Sequence, residues 1–129
     1  MGFEITIDNV LLIGYTIEEN IMLWQIINYR TADNREPIVE WLNSFRDKIT
    51  ALRIEKRILK LRNCNLGDHK RFSGIIELRL HFGKGYRIYC GQDGHSLIIL
   101  LAGGDKSTQS KDIKLALKYW EDYHGQKKV

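Results

Sequence analysis

Residues 75–101 read IIELRLHFGKGYRIYCGQDGHSLIILL, and this stretch decides the fold. It divides into three short strands joined by two turns. Gly83-Lys84-Gly85 separates the first two runs, and Asp93-Gly94 marks a hairpin turn whose central positions need positive φ. If the first turn pairs Phe82 with Tyr86, Leu80 faces Ile88 and Leu78 faces Cys90. On the other side Arg79 then lies across from Tyr89, and His81 across from Arg87. Strand side chains alternate between faces. One face is therefore apolar (Ile76, Leu78, Leu80, Tyr86, Ile88, Cys90), and the other gathers Glu77, Arg79, His81, Arg87 and Tyr89. The polar face is the candidate working surface, turned away from the packed interior.

The chain has 129 residues, 43% of them hydrophobic and 28% charged, which suits one soluble globular domain with a single core. No apolar run reaches membrane-spanning length. No Lys or Arg precedes Arg30, so no secretory leader is expected. Cys64 and Cys90 form no metal or redox spacing, and with His69, His95 and His124 they make no zinc pattern. A reduced, cytoplasmic protein without metal or cofactor is expected.

The net charge of +4 hides a split. Residues 1–21 hold Glu4, Asp8, Glu18 and Glu19 and no base, while the remainder carries twenty Lys and Arg against twelve Asp and Glu, a net +8. The basic excess lies between Arg46 and Arg71. It favours a polyanion or an acidic partner, although a merely soluble basic surface explains charge alone equally well.

Residues 1–21 alternate weakly at Phe3, Ile5 and Ile7, then form an apolar clump from Val10 to Ile13. They read as an N-terminal extension, an edge strand or a loosely held arm. The domain proper is expected over residues 22–124, with 125–129 a polar, frayed tail. Leu23 to Tyr29 reads as a strand, and Thr31-Ala32-Asp33-Asn34 as a turn. Pro37 suits a first helical turn, followed by Ile38, Trp41, Leu42 and Phe45 at helical spacing. A second helix over about 48–62 buries Ala51, Ile54, Ile58 and Leu61. Arg53, Arg57 and Lys60 recur on another face, either as a solvated surface or as a contact for nucleic-acid backbone or an acidic partner. Leu97 to Leu101 is apolar on both faces and should be the most buried strand. Ser107 or Thr108 is expected to cap a last helix that presents Ile113, Ala116, Leu117, Trp120 and Tyr123. The expected architecture is α+β: strand, two helices, a three-stranded antiparallel meander and a C-terminal helix. The first strand should join the meander, and one face of the sheet should be covered.

The stretches YRTADNREPIVEWL, ELRLHFGKGYRIYC and LLAGGDKSTQSKDIKLAL, with the basic helical pair between them, resemble the phage-derived killer proteins of addiction modules. These form the HigB-like branch of the RelE/ParE toxin superfamily. The resemblance runs from about Met22 to Tyr123 and rests on the E-L-R, Y-R-I-Y and G-G-x-K-x-x-Q motifs. It implies a small α+β toxin fold and a cognate antitoxin. It also implies contact with operator DNA only through the antitoxin complex. For many members it implies metal-independent cleavage of mRNA, often on the ribosome; ParE relatives instead inhibit DNA gyrase. A non-toxic nucleic-acid-binding module is a third reading.

RNA is cut without metal when its 2′-hydroxyl attacks the adjacent phosphate. The site must then supply a base, positive charge for the phosphorane, and an acid for the leaving 5′-oxygen. Arg79 and Arg87 match the family's strand arginines, and their planar forks suit phosphate oxygens. The alternative for this pair, less favoured than the phosphate role, is a cross-strand salt-bridge ladder. Lys106 matches the lysine of the glycine motif, and Gln109 its glutamine; Lys106 is otherwise an ordinary loop lysine. His81 has a suitable intrinsic pKa, or is simply a half-exposed strand histidine. Glu77 is either the base or, the preferred reading, an ion-pair partner. Tyr89 is expected to stack on a base or polarise a hydroxyl. Lys70, Arg53, Arg57 and Lys60 are candidates for the RNA backbone.

Overall fold

A computed structural model describes residues 23–127. The expectation for residues 1–21 lies outside them. The elements run β1 (Gln25–Asn28), α1 (Pro37–Asn43), α2 (Lys48–Leu59), β2 (His69–Phe72), β3 (Ile75–Arg79), β4 (Arg87–Asp93), β5 (Leu97–Gly104) and α3 (Gln109–Lys127). The fold is α+β, a mixed five-stranded sheet in the order β1-β5-β4-β3-β2 with three helices. The antiparallel meander has four strands, not three. β2 pairs with β3 through a two-residue turn in which Ser73 and Gly74 both take positive φ, as such hairpins require. β1 adds to the far edge, parallel to β5, with Ile26 opposite Ile98.

The register between β3 and β4 differs from expectation by two residues. Arg79 faces Arg87, Glu77 faces Tyr89 and Leu78 faces Ile88. The connecting loop is longer than a tight turn: the Leu80 N–H donates to Tyr86 O at 2.9 Å, and the Gly85 N–H to Phe82 O at 3.0 Å. A slip of two preserves the assignment of every side chain to its face. The β4–β5 turn also moves. Asp93 belongs to β4 opposite Leu97, and Gly94 alone takes positive φ in a three-residue connection.

Both faces of the sheet are covered, against the expectation of one. Ile38, Ile54, Ile58 and Leu61 pack on Leu78, Leu80, Ile88, Cys90 and Leu100 on the first face. On the second, α3 lays Ala116, Ile113, Leu117, Trp120 and Tyr123 on Ile75, Tyr89, Ile99, Leu101 and Ala102. The apolar stripe of α3 must be buried somewhere, and β5, apolar on both faces and fully interior, supplies the second layer.

Glycines set how closely the helices approach. A Cβ on Gly91 would overlap the Trp120 ring, one on Gly103 the Trp41 ring, and one on Gly104 the Asp112 carboxylate. Helix ends follow local chemistry. Pro37 opens α1. Asp47 caps α2, accepting from the Ile49 N–H at 3.0 Å. α2 then tightens through a 3-10 turn, Lys60–Asn63, which ends at Cys64 with φ of 62°. Asp105, rather than Ser107 or Thr108, caps the last helical segment. Its side chain accepts from the Ser107 N–H at 2.8 Å, while Thr108 Oγ1 accepts from the Asp105 N–H at 3.2 Å. Residues 125–127, expected in the tail, form the last turn of α3, where Lys127 Nζ donates to Asp93 at 2.7 Å.

Gly103→Ala is expected to lower unfolding stability by about 1–3 kcal/mol through overpacking. Pairing it with Trp41→Ala should cost less than the sum of the two single changes, as read by urea denaturation. The Cys90 thiol is pushed up to about 12 by burial. An unfolded thiol ionises near 8.5, so folding becomes less favourable as pH rises above that value. Urea midpoints should therefore fall between pH about 8.5 and about 10, and Cys90→Ala should flatten that slope.

Candidate functional site

The sheet brings its polar residues together at the end where β3 and β5 finish and β4 begins. Arg79, Arg87 and Gly104 form one row across β3, β4 and β5. The next row holds Lys70, Glu77, Tyr89 and Ala102. The N-terminal turn of α3 closes over both rows. It can do so because Gly104 leaves space for Asp112, which is buried and accepts from Thr108 Oγ1.

Glu77 is the anchor of this end. It is 1% exposed, and its two carboxylate oxygens take different partners: Arg79 Nε donates at 3.2 Å and Gln109 Nε2 at 2.7 Å. A buried carboxylate needs such donors, because water no longer solvates it. The preferred reading of Glu77 as an ion-pair partner thus matches the geometry. The same contacts fix the direction of Arg79, whose side chain remains 33% exposed.

Arg87 is half-buried. One terminal nitrogen donates to Gly85 O at 3.1 Å and Tyr86 O at 3.2 Å, while Nε is buried without a hydrogen-bond partner among the described residues. Lys106 meets it at Gly85. A Cβ there would lie 3.5 Å from Lys106 Cβ and 3.7 Å from an Arg87 guanidinium nitrogen. The backbone N–H of Lys106 donates to Lys84 O at 3.3 Å, tying the β3–β4 loop to the start of the last helical segment. Arg79, Arg87, Lys106 and Gln109 therefore form one cluster. Lys84, which the sequence reading passed over, borders it; its position between two glycines, Gly83 and Gly85, was the available signal.

Other expectations are redistributed. His81 lies beyond β3 and does not face Arg87. It is exposed, and its Nε2 meets the Asp68 carboxylate, holding that carboxyl below the usual range. Tyr89 is sealed beneath α3, so stacking on a base is closed to it. Among the described residues its hydroxyl has no hydrogen-bond partner, and burial beside the Glu77 charge raises its pKa well above the ordinary value. Lys70 is exposed on the edge strand, its ammonium 5.8 Å from the Phe72 ring centroid.

The basic stripe of α2 splits. Arg57 is committed to structure: it donates to the carbonyls of Leu66 and Asp68, and burial pulls its pKa down. Arg53 lies 3.8 Å above the Phe82 ring centroid, and Lys60 is exposed. With Lys56, also missed, they line a groove of about 570 Å³ that Arg79, His81 and Phe82 line as well. Arg79 thus connects the cluster under α3 to the groove beside α2. Among the described residues, no group of three His, Cys, Asp or Glu side chains could hold a metal ion. No described helix is long and apolar enough to cross a membrane.

Fold and site together define an α+β protein with a basic cluster at one end of a mixed sheet. No protein-family model matches the chain. It is 47% identical over 77 residues to an uncharacterized protein of Haemophilus influenzae, a match covering 59% of this chain and 78% of that protein. The chain belongs to the same family as that Haemophilus protein.

Gln109→Ala leaves the buried Glu77 short of a donor and should cost about 1–3 kcal/mol of stability. Lys106→Ala, at an exposed position, should stay within about 0.5 kcal/mol. Equilibrium urea unfolding of both variants tests the contrast.

Proposed function

We propose that this protein is the toxin of a type II toxin–antitoxin system, with a RelE/ParE-like fold and metal-independent mRNA endonuclease activity. The observation that carries the reading is the pairing of Arg79 with Arg87 as direct cross-strand neighbours, with Lys106 against the same glycine as Arg87. Three cations at one sheet end suit the charge that develops on a phosphorane when a 2′-hydroxyl attacks its phosphate. The order of strand, two helices, antiparallel meander and helix supports the same reading.

In this proposal Arg79 and Arg87 hold the non-bridging phosphate oxygens, and Lys106 adds charge beside them. Glu77 and Gln109 act through position, since the carboxylate is spent on Arg79 and the glutamine amide. His81 is the candidate for proton transfer: its imidazole is exposed on the groove that Arg79 also lines, and Asp68 orients it. The RNA backbone runs along the groove past Arg53 and Lys60. Its partners are mRNA, on or off the ribosome, and a cognate antitoxin that neutralises the basic surface.

Induced expression should arrest growth, and primer extension on cellular mRNA should reveal new 5′ ends. Arg87→Ala should lower cleavage by about a hundredfold or more with circular dichroism unchanged. Arg79→Ala should do the same and also lower the urea midpoint, because the buried Glu77 loses its ion-pair partner. Arrest that survives both changes would remove the site. Intact transcripts accompanied by damaged DNA would instead identify gyrase as the target.

A further inference from the structure

α2 carries two apolar faces, and the core uses one. Ala51, Ile54 and Ile58 point inward. On the opposite side Ile49 is 70% exposed, Leu52 56% and Leu59 55%. With Lys56 they fall at 49, 52, 56 and 59, the alternating three- and four-residue spacing of a coiled-coil seam in which one core position is a lysine. Single exposed apolar side chains are ordinary, but a periodic row on one helix is the surface that a second helix covers.

The charges around the row choose the occupant. Over residues 48–62, Lys48, Arg53, Lys56, Arg57, Lys60 and Arg62 stand against Glu55 alone. A second copy of this chain would set like charges against each other along the whole contact, which opposes self-association. An apolar helix without acids would leave Lys56 unpaired within the seam. We infer that the outer face of α2 is a docking surface for an amphipathic helix of another protein, with an aliphatic stripe flanked by Asp and Glu. The aliphatic stripe packs on Ile49, Leu52 and Leu59; its acids pair with Arg53, Lys56 and Lys60. Because those three bases also line the groove, a helix seated here covers one rim of it and neutralises its charge. The inference stands on the helix surface and does not require RNA cleavage.

The test uses the full chain with isotope-labelled Ile and Leu methyl groups. The probe is a 21-residue synthetic helix with Leu at its seam positions and Glu beside them. A counterpart with Lys in place of Glu is the control. The acidic peptide should shift the Ile49, Leu52 and Leu59 methyl signals saturably, while the Lys peptide does not. Leu52→Glu and Leu59→Glu, both at exposed positions, should weaken binding about tenfold or more, and unchanged Ile54 and Ile58 signals would report an intact core. Equal response to both peptides, shifts mapping away from α2, or no binding would overturn the inference. So would shifts of these methyls on dilution without peptide, which mark a second copy. Binding that appears only after residues 1–22 are deleted would overturn it too, by assigning the face to this chain's own segment.

Discussion

The end of the sheet that matters depends on one buried carboxylate. Glu77 sits under α3 with negligible exposure, and its oxygens are held by Arg79 from its own strand and Gln109 from the helix. Taking a carboxylate from water costs several kcal/mol unless donors replace the lost solvent, so this arrangement exists only when strand and helix are both in place. The contact therefore does two things. It clamps the first turn of α3 to β3, and it aims a guanidinium at the mouth of the groove. A salt bridge on an open surface would do neither, because water would compete for both partners.

The clamp in turn depends on glycines whose role is to be absent. Helix α3 reaches the sheet end because Gly104 leaves room for Asp112, and it lies flat farther along because Gly91 admits the Trp120 ring. On the opposite face Gly103 receives Trp41. Adjacent glycines on β5 thus admit side chains to opposite faces, as strand alternation requires. The G-G pair earlier matched to a family motif is, in physical terms, the point at which α1 and α3 both close on the sheet.

Much of this was legible in the sequence. The helical stripes and the doubly apolar β5 follow from periodicity, and periodicity survived folding. So did the shared face of Arg79 and Arg87, which depends only on strand parity. What failed has identifiable causes. The β3–β4 register slipped by two because alternation cannot see a shift that preserves faces; the length of the loop through Gly83 and Gly85 decided it. β2 was missed because His69-Lys70-Arg71-Phe72 carries the charged pattern of an edge strand, with Ser73-Gly74 as its one local signal. The second covering layer was missed because the polar residues that suggested an open face occupy only one end of it. His81 lost its expected place because β3 ends at Arg79, two residues before it.

The parallel seam between β1 and β5 has a consequence for how the molecule is made. Gln25 finds its partner at Leu97, so among the described residues the first strand made pairs with the last. The helices and the β2–β3 hairpin involve near neighbours and can form early, whereas closing β1 onto β5 brings together segments some seventy residues apart. Until Leu100 has emerged, β1 lacks the strand it pairs with, leaving Ile26 and Ile27 without their sheet neighbours on the nascent chain. Closing the parallel edge of the sheet is thus a late step in making this protein, since it joins segments far apart in sequence.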